Sequence, residues 1–280
     1  MEQAEKVMGK VYFELKPIGH AYRFELRSQW KKFVGFSIIS ILIVFLQSFI
    51  LYAVAPSNLL PENQMDFLSS GLQFLSMFII IFAACFFFSG IICLEYDKKT
   101  GYIIFPKINK FKLLTGKYLG NLTLIIGVVT IFYCTLGLFC WYFYGISFNM
   151  LYLASFGISI IYVVAISSFV TFLSSFMKSV NTTIITSIMI LFIGFQMVDQ
   201  LVTVFLPDFE PIYSMQYASN LISSILELPF PDPRYVDRVI MEFSIRRWIS
   251  PTFETGIIVL LIYLITSLLL AAIIFKRRQL

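Results

Sequence analysis

The sequence predicts an all-α polytopic membrane protein with six transmembrane helices, and three observations support this. Hydrophobic residues make up 59% of the 280 residues and charged residues only 13%, which is outside the usual composition of soluble domains. The mean hydropathy is +0.85. The apolar residues collect in long segments separated by short polar stretches, so an amino-terminal segment, 1–32, precedes one transmembrane unit, 33–280.

Each apolar segment is long enough to cross a membrane. The first holds 23 residues without a charge, and a hydrocarbon core of about 30 Å needs roughly 20 such residues. The third is longer than a simple crossing requires, so we expect it to tilt or to project from the membrane. The predicted spans are 33–55, 67–94, 113–144, 151–177, 182–206 and 255–275.

The basic residues predict an orientation. Of the 21 Lys and Arg residues, 17 lie in 1–32, in 95–117, at Lys178 or at the carboxyl end, all on one side of the predicted topology. Because Lys and Arg concentrate in cytoplasmic loops, we expect a multi-pass protein of the cell membrane with both termini cytoplasmic. The net charge of +5 then follows from topology, and no nucleic-acid partner is expected.

Segment 1–32 contains an amphipathic pattern. Apolar side chains recur every four residues from Ile18, and a basic stripe runs beside them. This pattern predicts a helix in the membrane interface with its arginines at lipid headgroups, and the alternative is an exposed basic linker. The candidate residues are Tyr22, Arg23, Leu26, Arg27 and Trp30.

The longest internal segment predicted to be cytoplasmic is 95–112, a loop that leads into the third span. It begins with two acids, is rich in lysine, and is broken by a glycine and a proline. Its short apolar run between lysines is typical of a helix that enters a partner's groove, and the alternative is a solvated basic loop. The candidate residues here are Glu95, Asp97, Lys98, Lys99, Gly101, Tyr102, Ile103, Ile104, Phe105, Pro106 and Lys117.

Span five carries Gln196, Asp199 and Gln200 in its outer third. Asp199 is the one acidic residue well inside a predicted span, and an ionisable group there is costly unless it faces a cavity or a partner helix. It lies about two turns from the end of the span, so the other interpretation is a carboxylate that reaches water.

Residues 207–254 form the one sizeable extracytoplasmic loop of this topology. Its prolines divide it into two predicted short helices, each with an apolar face. The first covers 213–227. The second opens with Asp232 as N-cap, followed by a proline at the first helical position, and continues towards Trp248.

The sequence lacks the motifs of several enzyme classes. Its lone histidine, His20, leaves no ligand set for transmembrane haem or an intramembrane zinc protease. The Gly116–Lys117 pair is similar to the end of a phosphate-binding loop, but the earlier glycine and the following Ser or Thr are missing. We therefore expect no cofactor, no metal and no catalytic residue in this chain, and any ATP hydrolysis would belong to another chain.

The spacing around the basic loop carries a resemblance to a known family. An acid directly after a span is followed by a Gly six positions on, a Pro five beyond, and a Gly-Lys pair at the next span: Glu95, Gly101, Pro106, Gly116 and Lys117. With the six spans, this arrangement resembles the membrane subunits of ABC type-2 exporters, the ABC-2 transporter permeases. The resemblance implies an elbow helix within 1–32 and a coupling loop at 95–112. It also implies a lid of short helices between spans five and six, for which the alternative is interfacial helices without a gating role.

The resemblance also implies partners. Such subunits pair with a second copy or a related permease, and they bind an ABC ATPase subunit that holds ATP and magnesium. The coupling loop and the elbow helix contact that ATPase, whose closure moves the spans as a rigid-body switch. Membrane lipids surround the spans.

In the resembled mechanism, spans two and five line the pathway. Span two offers many phenylalanines and one glutamine, so we expect apolar walls and a hydrophobic or amphiphilic substrate. The alternative is that these rings face lipid or neighbouring spans. The candidate pathway or gate residues are Gln73, Phe78, Phe82, Gln196, Asp199 and Gln200.

Two functions from other classes also fit parts of the sequence. An ion-coupled secondary transporter would need coupling carboxylates or broken helices near the midplane, and the sequence offers one peripheral aspartate without a clear internal repeat. A membrane anchor that recruits an ATPase without moving a substrate would share the docking features.

Overall fold

The computed structural model describes residues 16–50, 63–99, 108–145, 150–228, 230, 234–240 and 243–278. Within these ranges, six helices are long and apolar enough to cross a membrane. Each overlaps one predicted span, so the prediction of six apolar helices of membrane-crossing length is confirmed. The end of the first predicted span, 51–55, lies outside the described residues. This is the architecture of a multi-pass, mainly α-helical membrane protein.

Helices account for most of the described chain. They are α1, 16–28; α2, Trp30–Phe49; α3, Gln64–Asp97; α4, Lys110–Tyr144; α5, Met150–Phe176; α6, Val180–Phe205; α7, Met215–Ser219; α8, Leu221–Ser224; and α9, Phe253–Arg277. A 3₁₀ turn at Ile225–Glu227 continues α8.

Several helix ends follow directly from the local sequence. The side chains of Asn109, Ser179 and Thr252 accept hydrogen bonds from backbone N–H groups in the first turns of α4, α6 and α9. Helix α4 ends where Gly145 adopts φ +81°, a backbone conformation that glycine reaches without steric cost.

Helices α3 and α5 form the centre of the bundle. In the most apolar stretch of each helix, 67% of the α3 residues and 61% of the α5 residues are buried, compared with 6% in α6 and 17% in α9. Buried serines on α5 are small, so neighbouring segments can approach this helix closely. Their hydroxyls donate hydrogen bonds to those segments. Ser155 donates to the carbonyl of Ile222 at 2.6 Å, and Ser174 donates to the carbonyl of Ser89 at 2.7 Å.

Two of the spans contain a widened, π-helical turn, at Leu75–Ile79 in α3 and at Met189–Gly194 in α6. Such turns are rare and concentrate at functional sites. These two turns lie against each other, since the Phe78 and Phe192 ring centroids are 5.2 Å apart.

The segment between α6 and α9 differs from the prediction. The first predicted helix, 213–227, is present in the shorter form of α7, α8 and the 3₁₀ turn, and its apolar face is fully buried. The second predicted helix is wrong, because the chain forms an antiparallel hairpin of β1, Tyr235–Ile240, and β2, Phe243–Trp248. The predicted N-cap, Asp232, and the proline after it lie outside the described residues.

The hairpin follows from residue types that favour strands. Both strands are rich in β-branched and aromatic residues. Opposite residues also pair well: the Tyr235 and Trp248 rings are 5.5 Å apart, and Arg246 Nε donates to Asp237 Oδ1 at 3.0 Å.

Candidate functional site

The structure brings predicted site residues together at the two ends of the bundle. We call the end where α3 reaches Asp97 and α4 begins at Lys110 the basic end. The opposite end, which carries the β1–β2 pair, is the hairpin end.

A buried ion pair joins two spans at the basic end. The Lys117 ammonium donates to Glu95 Oε1, and these side chains are only 7% and 6% exposed. Glu95 lies in the last turn of α3 and Lys117 in the third turn of α4. Two residues predicted for coupling therefore connect the helices on either side of the loop 98–109.

Helix α1 packs tightly on the same part of α4. A Cβ atom added at Gly116 would lie 2.6 Å from Ala21 Cβ and 2.7 Å from the Ile18 carbonyl oxygen. One added at Gly120 would lie 3.0 Å from Glu25 Cβ. Two glycines four residues apart thus let the backbones of two helices meet, as small residues do in membrane proteins.

The face of α1 that packs on α4 is separate from the predicted apolar stripe. Ala21 and Glu25 are buried there, whereas Trp30 is 57% exposed and begins α2. Arg23 and Arg27 are exposed, and Tyr22 and Leu26 are partly buried. The placement of the stripe at the lipid boundary stays a prediction.

Glu25 is a buried carboxylate that the sequence analysis missed. Its Oε1 accepts hydrogen bonds from Asn121 Nδ2 at 3.2 Å and Gln29 Nε2 at 3.1 Å. The sequence signal that could have indicated this contact is the spacing of Gly116 and Gly120, small residues on one face of α4.

Arg278 holds three helix ends together at the basic end. Its guanidinium donates to the carbonyl of Ser175 at 2.8 Å and lies 4.1 Å from the centre of the Tyr96 ring. Its carbonyl accepts from the Tyr96 hydroxyl and from Lys110 Nζ, each at 3.3 Å. The carboxyl-terminal end of α9 therefore ties α3, α4 and α5 to one another.

The centre of the predicted coupling loop lies outside the described residues. This applies to Gly101, Tyr102, Ile103, Ile104, Phe105 and Pro106. The residues before them, Asp97, Lys98 and Lys99, are exposed at the end of α3. Lys99 adopts φ +56°, the left-handed conformation in which helices commonly end.

A cavity of about 590 Å³ opens between α3 and α6 at the hairpin end, and four predicted pathway residues line it: Gln73, Gln196, Asp199 and Gln200. The other two, Phe78 and Phe82, are not in its lining and pack instead against Phe192, at centroid distances of 5.2 Å and 6.3 Å. Amides, hydroxyls and one carboxylate dominate the lining, so this cavity is more polar than the apolar walls that we expected.

Asp199 lies in the wall of this cavity with two hydroxyl neighbours. Ser214 Oγ donates to Asp199 Oδ2 at 2.7 Å, and the Tyr213 hydroxyl hydrogen-bonds to the same carboxyl group. Burial raises the pKa of Tyr213, and the Asp199 charge and this hydrogen bond raise it further, so the phenol stays protonated and can donate.

The chain after α6 covers the cavity through side-chain contacts. Arg234 Nη1 donates to Glu210 Oε1 at 3.1 Å, and the Tyr217 hydroxyl donates to the same oxygen at 3.0 Å. The Trp248 indole N–H donates to the carbonyl of Pro207 at 3.3 Å. Burial, followed by the Glu210 charge, raises the pKa of Tyr217, so this hydroxyl remains a donor at neutral pH.

Several cavity residues escaped the sequence analysis. These are Ser76, Met77, Thr203, Val204, Pro211, Gln216, Tyr217, Ser219, Asn220 and Trp248. Most lie beyond the ends of α3 and α6, and no periodicity in the sequence relates them to Asp199. Among the residues that the structure describes, no group of three His, Cys, Asp or Glu side chains is arranged to hold a metal.

A scan of the sequence against protein-family models finds no match, and a search of curated proteins finds none either. The assignment of a function therefore rests on the residues and their geometry.

Proposed function

We propose that this chain is the permease subunit of an ATP-driven exporter of the ABC type-2 class. In this proposal the basic end is cytoplasmic and contacts a separate ABC ATPase subunit, which binds ATP and magnesium. The hairpin end lies outside the cell membrane, and the transporter contains a second copy of this chain or a related permease. The chain itself needs no catalytic residue, since hydrolysis takes place in the ATPase.

The buried Glu95–Lys117 pair is the observation that carries this proposal. Separating the two partners of a buried ion pair would leave each charge buried without its counter-ion, which is costly. A displacement of the loop between α3 and α4 would therefore move both helices together. In the sequence of α4, Lys117 also lies between Gly116 and Gly120, where α4 approaches α1 most closely. A partner that pushes the coupling loop would therefore move three helices as one body.

Helix α3 supplies a route from the partner to the cavity. Glu95 near one end of this helix and Gln73 in the cavity lining are 22 residues apart, which corresponds to about 33 Å of helix. The π turns of α3 and α6 meet next to the cavity, where a small rearrangement of Phe78 against Phe192 would change its shape. Cavity and coupling site then belong to one two-state element.

The position of Asp199 also favours the alternative function, an ion-coupled secondary transporter. A carboxylate in a cavity, on a span with an irregular turn, is an arrangement that coupling ions use. The exporter is preferred because its expected docking residues, Glu95 and Lys117, are buried against each other at the opposite end, a feature that ion coupling does not require.

The first test is affinity purification of the tagged chain from its native membrane in mild detergent. We expect a roughly stoichiometric ATPase with Walker motifs to copurify. Replacing Ile103 and Ile104 together by Asp should abolish recovery of the ATPase while the chain stays inserted. The paired control, Lys276→Ser with Arg277→Ser, changes two exposed basic residues of the same end outside the coupling loop and should retain it.

Reproducible absence of an ATPase, with the permease intact, would contradict the exporter and favour the secondary transporter, which proton- or sodium-dependent uptake without ATP would then identify. An ATPase that copurifies but is not stimulated by any exported substrate would indicate an anchor.

A further inference from the structure

The cavity at the hairpin end has one charged residue in its described lining, the carboxylate of Asp199. Its other polar groups are neutral amides and hydroxyls. Arg234 lies near the cavity, 6.0 Å from the Trp248 ring, but its charge is balanced by the ion pair with Glu210. A lining with one anion and no cation attracts positively charged ligands.

The Asp199 carboxylate has acceptor capacity beyond its neighbours in the protein. Ser214 Oγ donates to its Oδ2 at 2.7 Å, and the Tyr213 hydroxyl hydrogen-bonds to the same group. A carboxylate offers about four acceptor positions, so these two hydroxyls leave room for donors from a ligand. The chemistry that complements this cavity is therefore an N–H donor that carries positive charge.

A second, smaller cavity extends the first and adds another carboxylate. Its volume is about 210 Å³, and it shares Gln73, Asn220 and Trp248 with the larger cavity. Glu227 lies in its lining. Trp248 is held in place by its hydrogen bond to Pro207, so a rigid aromatic wall stands where the two cavities join.

The size and the apolar part of the lining define the rest of the ligand. Ligand pockets commonly measure about 300–1,000 Å³, and the larger cavity, at about 590 Å³, falls within this range. Met77, Val204 and Trp248 provide apolar surface beside the polar groups. An ion or a simple amine would leave most of this space empty, whereas an amphiphilic organic compound would fill it.

We propose that the two cavities form one binding site for an organic compound with a primary ammonium group, which lies against the carboxylate of Asp199. The assignment of this compound as an exported substrate rests on the proposed function, but its binding does not require the ATPase. A primary ammonium provides three donors, whereas a quaternary ammonium provides none. The same group occurs on soluble amines and on ethanolamine lipid headgroups.

The test is binding of dansylcadaverine to the purified full-length chain, measured through the fluorescence of its dansyl group. The matched probe is N-acetyl dansylcadaverine, which has the same fluorophore but no ammonium group. We expect the acetylated probe to bind at least roughly tenfold more weakly. Asp199→Asn should weaken binding of the amine by a similar factor, and Asp199→Glu, which keeps the charge, should retain most of it.

A matched control separates the site from general charge at this end. Asp208→Asn removes a carboxylate that is 87% exposed and pairs with Arg246 outside the described lining, so amine affinity should not change. Displacement of the probe by dihexanoyl phosphatidylethanolamine, but not by the corresponding phosphatidylcholine, would assign the ammonium to a lipid headgroup. Absence of displacement by either lipid would assign it to a soluble amine.

Equal affinity of the two probes for the natural chain would overturn the proposal, and so would an unchanged affinity in Asp199→Asn. The comparison of probes needs no variant, so it decides the matter even where Asp199→Asn does not fold. Failure of the amine to bind, with the ATPase still copurifying, would reject the site and leave the exporter standing.

Discussion

The ammonium of Lys117 and the carboxylate of Glu95, 22 residues apart in the chain, form an ion pair inside the helix bundle. It joins the end of α3 to the start of α4 on the two sides of the predicted coupling loop. Burial makes each charge dependent on the other, because neither has bulk water as an alternative partner.

Replacing Glu95 by Ala should destabilise the protein by about 3 kcal/mol, since it leaves the Lys117 ammonium buried without its counter-ion. The measurement is unfolding of the purified chain in detergent by denaturant or heat. The double variant Glu95→Ala with Lys117→Met removes both charges and should recover most of the loss. A double variant that is less stable than Glu95→Ala would show that the pair is not the cause.

The approach of α1 to α4 predicts an unusual sensitivity at one glycine. Gly116→Ala should lower stability by about 1–3 kcal/mol, because its methyl group would meet Ala21 and the backbone of Ile18. The matched control is Gly157→Ala in α5, where nothing lies within 4 Å of an added Cβ. That substitution should be neutral or stabilising, since alanine favours a helix. Equal melting temperatures for the two variants would argue against close packing at Gly116.

Arg278 and its neighbour Arg277 offer a charge-matched comparison. Arg278→Ala removes the hydrogen bond to Ser175 and the contact with the Tyr96 ring, and should cost about 1–2 kcal/mol. Arg277→Ala removes the same charge from an exposed position and should have little effect. Faster hydrogen exchange at the ends of α3 and α5 in Arg278→Ala alone would confirm the contact. Identical exchange in both variants would contradict it.

Glu227 predicts how stability changes with pH. Burial raises the pKa of its carboxyl, and the charge of Asp66 raises it further, so the folded protein holds this proton more tightly than the unfolded chain does. Its contribution to stability is then greatest below the unfolded-state pKa of about 4.3 and is lost as pH rises through the higher folded-state value. Glu227→Gln should melt at a higher temperature than the natural protein at pH 8, with a smaller difference at acidic pH. Asp66→Asn should reduce the same pH dependence in part, and an unaltered pH profile in both variants would refute the assignment.

The gate residues show how far sequence reasoning reached. Gln73, Gln196, Asp199 and Gln200 were selected because polar groups inside spans are costly, and the structure gathers all four around one cavity. Phe78 and Phe82 were selected for their place on span two, but the π turns of α3 and α6 direct both rings onto Phe192. A π turn changes the side of the helix on which the following residues lie, and the hydropathy of the sequence does not reveal that change.

Residues 235–248 illustrate a different limit. Positions four apart, such as Val236 and Ile240, share a face in a helix and also in a strand, so their pattern fits both structures. The preceding proline favoured a helix start, whereas cross-strand pairs such as Tyr235 with Trp248 exist only after the hairpin has formed.

The sequence by itself determined that the chain contains six segments long and apolar enough to cross a membrane, and roughly where each segment lies. Spanning hydrocarbon depends on the length and polarity of each separate segment, which a single sequence states directly. The tertiary structure alone decided that Glu25 is buried against α4, that Lys117 pairs with Glu95, and that Asp199 lies in a cavity wall beside Ser214. These outcomes depend on the distance between two helices and on the rotation of each helix about its axis. Packing between segments far apart in the chain sets both quantities.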